Sequence, residues 1–101
     1  MAVYQVTYWQ EIPSQVDARD PGAKAQKVML SQRFQELIDI AASKRKLDTS
    51  DLYIAQWAKG EKIEKAGSAA EVARLVADEF EARFDAIRTE ALAKSISAKP
   101  A

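Results

Sequence analysis

The sequence predicts an α+β domain: a small, mostly antiparallel sheet of three or four strands with two helices packed on one face. Three stretches carry that prediction. Residues 3–9 (Val-Tyr-Gln-Val-Thr-Tyr-Trp) are dominated by β-branched and aromatic side chains. Apolar residues recur at helical spacing from Phe34 to Ala41, and a longer helical stripe runs from Val72 to Ala91. With 101 residues, 48% hydrophobic and 30% charged, the chain has the size and balance of one globular domain. That domain is expected over residues 1–94, with residues 95–101 as a flexible tail.

In the first strand, Tyr4, Val6 and Tyr8 face one way and Val3, Gln5, Thr7 and Trp9 the other. Pro13, which has no N–H to donate, is expected to end regular pairing. Residues 17–23 read as a turn centred on Pro21-Gly22, and residues 24–30 as a second strand in a long-looped hairpin with the first. Ser31 suits a helix N-cap, and the following helix should run to Lys44–Lys46, whose charges complement the negative end of the helix dipole.

After a loop at 48–51, Leu52–Ala58 reads as a strand with Tyr53, Ala55 and Trp57 on one face; a helix competes there, since Leu, Ala and Gln tolerate it. Lys59–Lys62 is expected to turn the chain into a short return strand over 61–66. Ser68-Ala-Ala-Glu71 is a capping box. It opens a helix expected to run unbroken over residues 69–94, with Glu79–Arg83 and Glu90–Lys94 as supporting pairs. Such a helix would be about 39 Å long, so its last turns are expected to project or to meet a partner.

Composition excludes several function classes. The chain has no cysteine and no histidine. It therefore has no disulfide, no thiolate nucleophile and no Ser-His-Asp device of its own, and it lacks the commonest transition-metal ligands. Basic and acidic residues number 15 each, so the net charge is zero and general nucleic-acid binding is not expected. No stretch approaches a membrane span, and the N-terminus does not read as a signal peptide, so the expected location is the cytoplasm.

The leading candidate site is the segment Trp9, Gln10, Glu11, Ile12, Pro13 and Gln15, where aromatic area sits beside a proline-stiffened loop. Trp9 can equally cap the core, with Ile12-Pro13 covering an edge strand. Tyr53 and Trp57 either extend an aromatic patch with Trp9 or pack beneath a helix. Glu11, Asp17 and Asp20 match no metal-loop spacing. Arg33, near a helix start, either binds an anion or forms a surface ion pair. Residues 71–90 hold six acids and three bases, read as a solvated face or as a docking surface for a basic partner. Helices on one face would leave aromatics of the sheet on the other, and an exposed aromatic face marks an interface.

The run Tyr8-Trp9-Gln10-Glu11-Ile12-Pro13-Ser14-Gln15-Val16 resembles the Tyr-Trp-Arg-Asp-Ile-Pro-Ala-Gln-Val signature of a small bacterial family labelled virulence factor. The domain of that family also occurs in conserved virulence factor C proteins. The resemblance continues through Arg33-Phe34, Tyr53, Trp57, Glu79-Phe80 and Phe84-Asp85, over residues 3–92. Gln10 stands where the signature has arginine, and Glu11 where it has aspartate. Asp17–Gly22 replaces a basic, glycine-containing run, which weakens any anion-binding role of that loop.

The resemblance implies a stand-alone protein encoded beside methylenetetrahydrofolate reductase, corrinoid proteins and methyltransferases. The expectation is a non-catalytic accessory or interaction subunit of such a one-carbon system. It would have no metal and no cofactor of its own, folate being available through a larger enzyme partner; a homodimer is compatible with the same surfaces. The alternative expectation is a binding module for a flat anionic ligand such as a folate, stacking on the aromatics with Arg33 or Lys27 for charge.

Overall fold

Strand β1 (Ala2–Trp9) is the centre of an antiparallel sheet. The computed structural model describes residues 1–97; of the tail expected over 95–101, residues 95–97 are instead the end of a helix, and residues 98–101 lie outside the described residues. A two-residue turn at Gln10-Glu11 returns the chain into β2 (Ile12–Arg19), which pairs with β1 along its whole length. Gln10 takes the left-handed conformation there, with φ of 52°. Strand β3 (Gln26–Met29) pairs with β2, so the expected hairpin between residues 24–30 and the first strand does not form.

The expectation missed β2 because its sequence, Ile-Pro-Ser-Gln-Val-Asp-Ala-Arg, is poor in strand formers. Pro13 is accommodated by a bulge. The register runs Thr7 to Gln15 and then Tyr8 to Pro13, which leaves Ser14 as the extra residue. The carbonyl of Ser14 instead accepts from the Leu30 amide at 3.0 Å, tying β3 to the irregular point. The turn at Pro21-Gly22 is present but shorter than expected, because pairing persists to Arg19.

Helix α1 (Gln32–Lys44) buries Phe34, Leu37, Ile38, Ala41 and Ala42, as its spacing predicts. Residues 52–58 correct the expected strand: Ser50–Ala55 form a short helix, α2, and only Trp57–Lys59 are strand, β4. Strand β5 (Ile63–Lys65) follows, but the chain does not reverse between them. β4 pairs antiparallel with Thr7–Trp9, and β5 pairs antiparallel with Ala2–Tyr4, so both run the same way along one edge of β1. They form a single edge strand interrupted by a bulge at Gly60–Lys62. The Gly60 amide donates to the Val6 carbonyl at 2.8 Å, and the Gln5 side chain donates to the Gly60 carbonyl at 2.8 Å.

Helix α3 (Ala69–Ala82) opens on the expected capping box, with Ser68 and Glu71 bonded reciprocally at 3.2 Å. Asp20 adds a cap from the β2–β3 loop, accepting from the Ala69 amide at 3.1 Å. The expected unbroken helix bends at Arg83 into α4 (Phe84–Ser97). The Arg83 amide is shared between the Glu79 and Phe80 carbonyls. Past the bend, the Phe84 ring meets Phe34 edge-on, with centroids 5.0 Å apart. The last turns do not project: Ala91 and Ser95 are buried, and α4 lies along α1.

The α+β class stands as expected, but the helices among the described residues number four and are not confined to one face. Tyr8 meets Phe80 of α3 at 6.5 Å, whereas its neighbour Trp9 meets Tyr53 of α2 at 5.7 Å. Successive strand side chains point to opposite faces, so α3 and α2 cover the two sides of this end of the sheet. No exposed aromatic face results. Trp9 is fully buried, and Tyr4, Tyr8, Tyr53 and Trp57 are half-buried against the core.

The edge-strand bulge requires glycine for reasons of space. A Cβ on Gly60 would stand 3.0 Å from Cε2 of Tyr8, whose ring is already held by Phe80. Gly60→Ala is expected to lower stability by about 1 kcal/mol, measured by urea unfolding, and to alter the near-ultraviolet circular dichroism of the tyrosines.

Candidate functional site

Within the leading segment, the structure separates core residues from surface ones. Trp9 and Ile12 lie opposite each other in register and are fully buried; Pro13 is buried beside them. The Trp9 indole donates to the Tyr53 carbonyl at 3.0 Å, so its polar atom is satisfied internally. Gln15 is half-buried and donates to Asp17 at 2.7 Å. Gln10 is exposed at the turn, its side chain donating to Gln56 at 2.9 Å.

Glu11 anchors the strongest polar cluster. Its two carboxylate oxygens accept from Arg45 at 2.7 and 2.6 Å, a bidentate pair. Arg45 also donates to the Gln10 side chain, to the Ala91 carbonyl at 3.0 Å and to the Ser95 hydroxyl at 3.0 Å. All five guanidinium N–H groups are thereby used, and the side chain is only 6% exposed. One arginine joins the β1–β2 turn, the end of α1 and the second half of α4. The hydrogen bond from Arg45 holds the Glu11 carboxyl below the usual carboxylate range, against a smaller opposing effect of burial. The sequence placed Arg45 in a basic run at a helix end, with nothing to distinguish it from Lys44 or Lys46; the only signal was the acid at position 11.

Arg33 is occupied elsewhere. It donates to the Glu81 carboxylate at 3.1 Å and to the Glu81 carbonyl at 2.8 Å, and it lies 4.3 Å over the Phe84 ring. The same carboxylate accepts from the Ser31 amide and hydroxyl, both at 2.7 Å, so the Ser31 hydroxyl is engaged by Glu81 and makes no cap bond to α1. Burial pushes the Glu81 carboxyl up, but the bonds from Ser31 and Arg33 outweigh it and leave it lowered.

Tyr53 and Trp57 do not share a strand face, yet they are neighbours, with centroids 6.0 Å apart and rings nearly perpendicular. With Trp9 they make a three-ring cluster at one corner. Beside it, α2 buries no residue completely and exposes Leu52 (45%) and Ile54 (66%). The carboxylates Glu11, Asp17 and Asp20, whose spacing matched no metal loop, are dispersed: Glu11 and Asp20 flank opposite ends of β2, with Asp17 inside it. Among the described residues no group of three potential ligands could hold a metal. No described helix is long and apolar enough to cross a membrane.

A second surface lies away from the aromatic corner, and of the residues considered for ligand charge in the sequence it holds Lys27. A half-open groove of about 560 Å³ crosses the sheet and is lined by Gln5, Asp17, Arg19, Lys27, Lys59 and Lys62, among others. The structure therefore keeps apart the pieces of the expected stacking site. The three rings form one corner, Lys27 stands in the groove, and Arg33 is held at the α3–α4 bend.

Removing the arginine should leave a partly buried carboxylate unpaired and α4 untethered. Arg45→Met is expected to cost roughly 3 kcal/mol in urea unfolding. The pH dependence follows from Glu11. Its folded pKa lies below the unfolded value of about 4.3, so its contribution is complete above that value and lost as pH falls through the folded one. The stability advantage of the wild type over Glu11→Gln should be full at pH 7 and shrink on acidification below about pH 4, as followed by urea titrations at a series of pH values.

A family model described as virulence factor matches residues 7–93. No curated protein and no solved structure matches the chain.

Proposed function

The chain belongs to the virulence factor family, and from that premise we propose that it is a non-catalytic accessory subunit that docks on a larger protein. The observation that carries the reading is the α2 corner. Leu52 and Ile54 stand exposed on a six-residue helix beside the half-buried Tyr53 and Trp57. Large aliphatics left exposed on a short helix beside aromatic rings are typical of a protein interface. The corner is also rigid. Trp9 bonds the Tyr53 carbonyl, Gln10 bonds Gln56, and Gln35 of α1 donates to the Tyr53 hydroxyl at 2.8 Å. A preorganised patch loses little entropy on binding.

The family resemblance supplies the proposed partner class: an enzyme of tetrahydrofolate- or corrinoid-linked methyl transfer, in the cytoplasm. On this reading any folate belongs to the partner, and the chain contributes contact area and positioning.

Affinity purification of the tagged full chain, followed by mass spectrometry, tests the reading. The expected result is recovery of a methylenetetrahydrofolate reductase or a corrinoid methyltransferase component with the wild type, and its loss with Ile54→Asp. Ile54 is already exposed, so that variant should keep wild-type circular dichroism. Recovery of the wild type only as an unattached monomer would sink the proposal.

A further inference from the structure

The groove across the sheet presents a local charge that the whole chain does not have. Net charge over the chain is zero, yet Arg19, Lys27, Lys59 and Lys62 line one groove with Asp17 as their single acidic companion. All four cations are exposed. Among the described residues the ion pairs are Arg33–Glu81 and Arg45–Glu11, so none of the four groove cations is held in one, and Asp17 alone stands against four positive charges in the lining. Clustered like charges repel and are unfavourable to assemble without a counter-charge.

Their positions follow from the sheet. Lys27 pairs with Asp17 and Asp17 with Gln5, so these three stand side by side across β3, β2 and β1. Arg19 lies two residues further along β2, and Lys59 pairs with Thr7 on the opposite edge. Lys27 and Lys59 are three strand spacings and two residues apart, about 16 Å between backbones, and their long side chains can close on a molecule lying over the centre. Lys62 joins them because the Gly60–Lys62 bulge is fastened to β1 through Gly60. The cations thus come from three separate strands and one anchored bulge. Helix α2 covers only the Trp9 end of this face, which leaves the groove open.

We propose that this groove binds a small molecule carrying clustered anionic oxygens, an organic phosphate or a polycarboxylate, held by Arg19, Lys27, Lys59 and Lys62. The volume of about 560 Å³ suits a small organic ligand. Recognition is electrostatic, since Trp9, Tyr53 and Trp57 are packed together at the α2 corner. The inference is independent of the docking reading, which rests on α2.

Isothermal titration of the full chain at low salt with inorganic tripolyphosphate, and separately with citrate, tests it. At least one probe should bind, with affinity falling on addition of salt and falling about tenfold or more in the Lys27→Ala/Lys59→Ala double variant. Preference for tripolyphosphate assigns the phosphate source, and preference for citrate the carboxylate source. Arg19→Gln is an independent arm with the same expected weakening, whereas Lys44→Ala, outside the groove, should bind as the wild type does. Absence of heat with both probes up to about 10 mM, or unchanged affinity in both groove variants, would overturn the proposal.

Discussion

The bonds around Arg45 make a single unit of three segments that could otherwise move independently. A hairpin turn, a helix C-terminus and the second half of a bent helix meet at one guanidinium, and each supplies it with acceptors or carries it. The constraint is strict because the side chain is only 6% exposed and every N–H has a partner. A lysine there could satisfy neither the bidentate carboxylate nor the remaining acceptors. The Glu81 cluster does the corresponding work at the other end of α1, bonding Ser31 and Arg33 from α3. Between the two clusters α1 is held along α4, on the far side of the bend at Arg83.

Much of this was legible in the sequence where local chemistry decides the outcome. The first strand, the α1 periodicity, the Ser68–Glu71 capping box and the turn at Pro21-Gly22 all appear where their residues place them. Legibility failed where a distant partner decides. The β2 segment is a weak strand former held in the sheet by pairing on both sides. Residues 50–55 form a helix that presents the Tyr53 carbonyl to a tryptophan 44 positions away. The bend at Arg83 has neither glycine nor proline; it accompanies the contact of Phe84 with Phe34 and Arg33.

The candidate site divided along the same line. Trp9 and Tyr53 stand out in the sequence as aromatic area, and the structure puts Trp9 in the core with Tyr53 packed against it. Their rings pack inward, and the aliphatic residues next to them in sequence face outward. The basic groove left no trace in composition because the charges are dispersed along the chain, from Arg19 to Lys62, and acids elsewhere cancel them. Only strand order brings them together.

The interrupted edge strand has a consequence for solubility. A flat, unbroken edge along β1 would offer a continuous row of free backbone donors and acceptors to another sheet. Here that row is divided into two three-residue pieces by the bulge at Gly60–Lys62, and lysines at 59, 62 and 65 crowd the same boundary. The opposite edge, β3, is only four residues long and carries Lys27. Short strands and lysines blunt both edges against edge-to-edge pairing, and the irregularity that interrupts one of them also carries Lys62 of the groove.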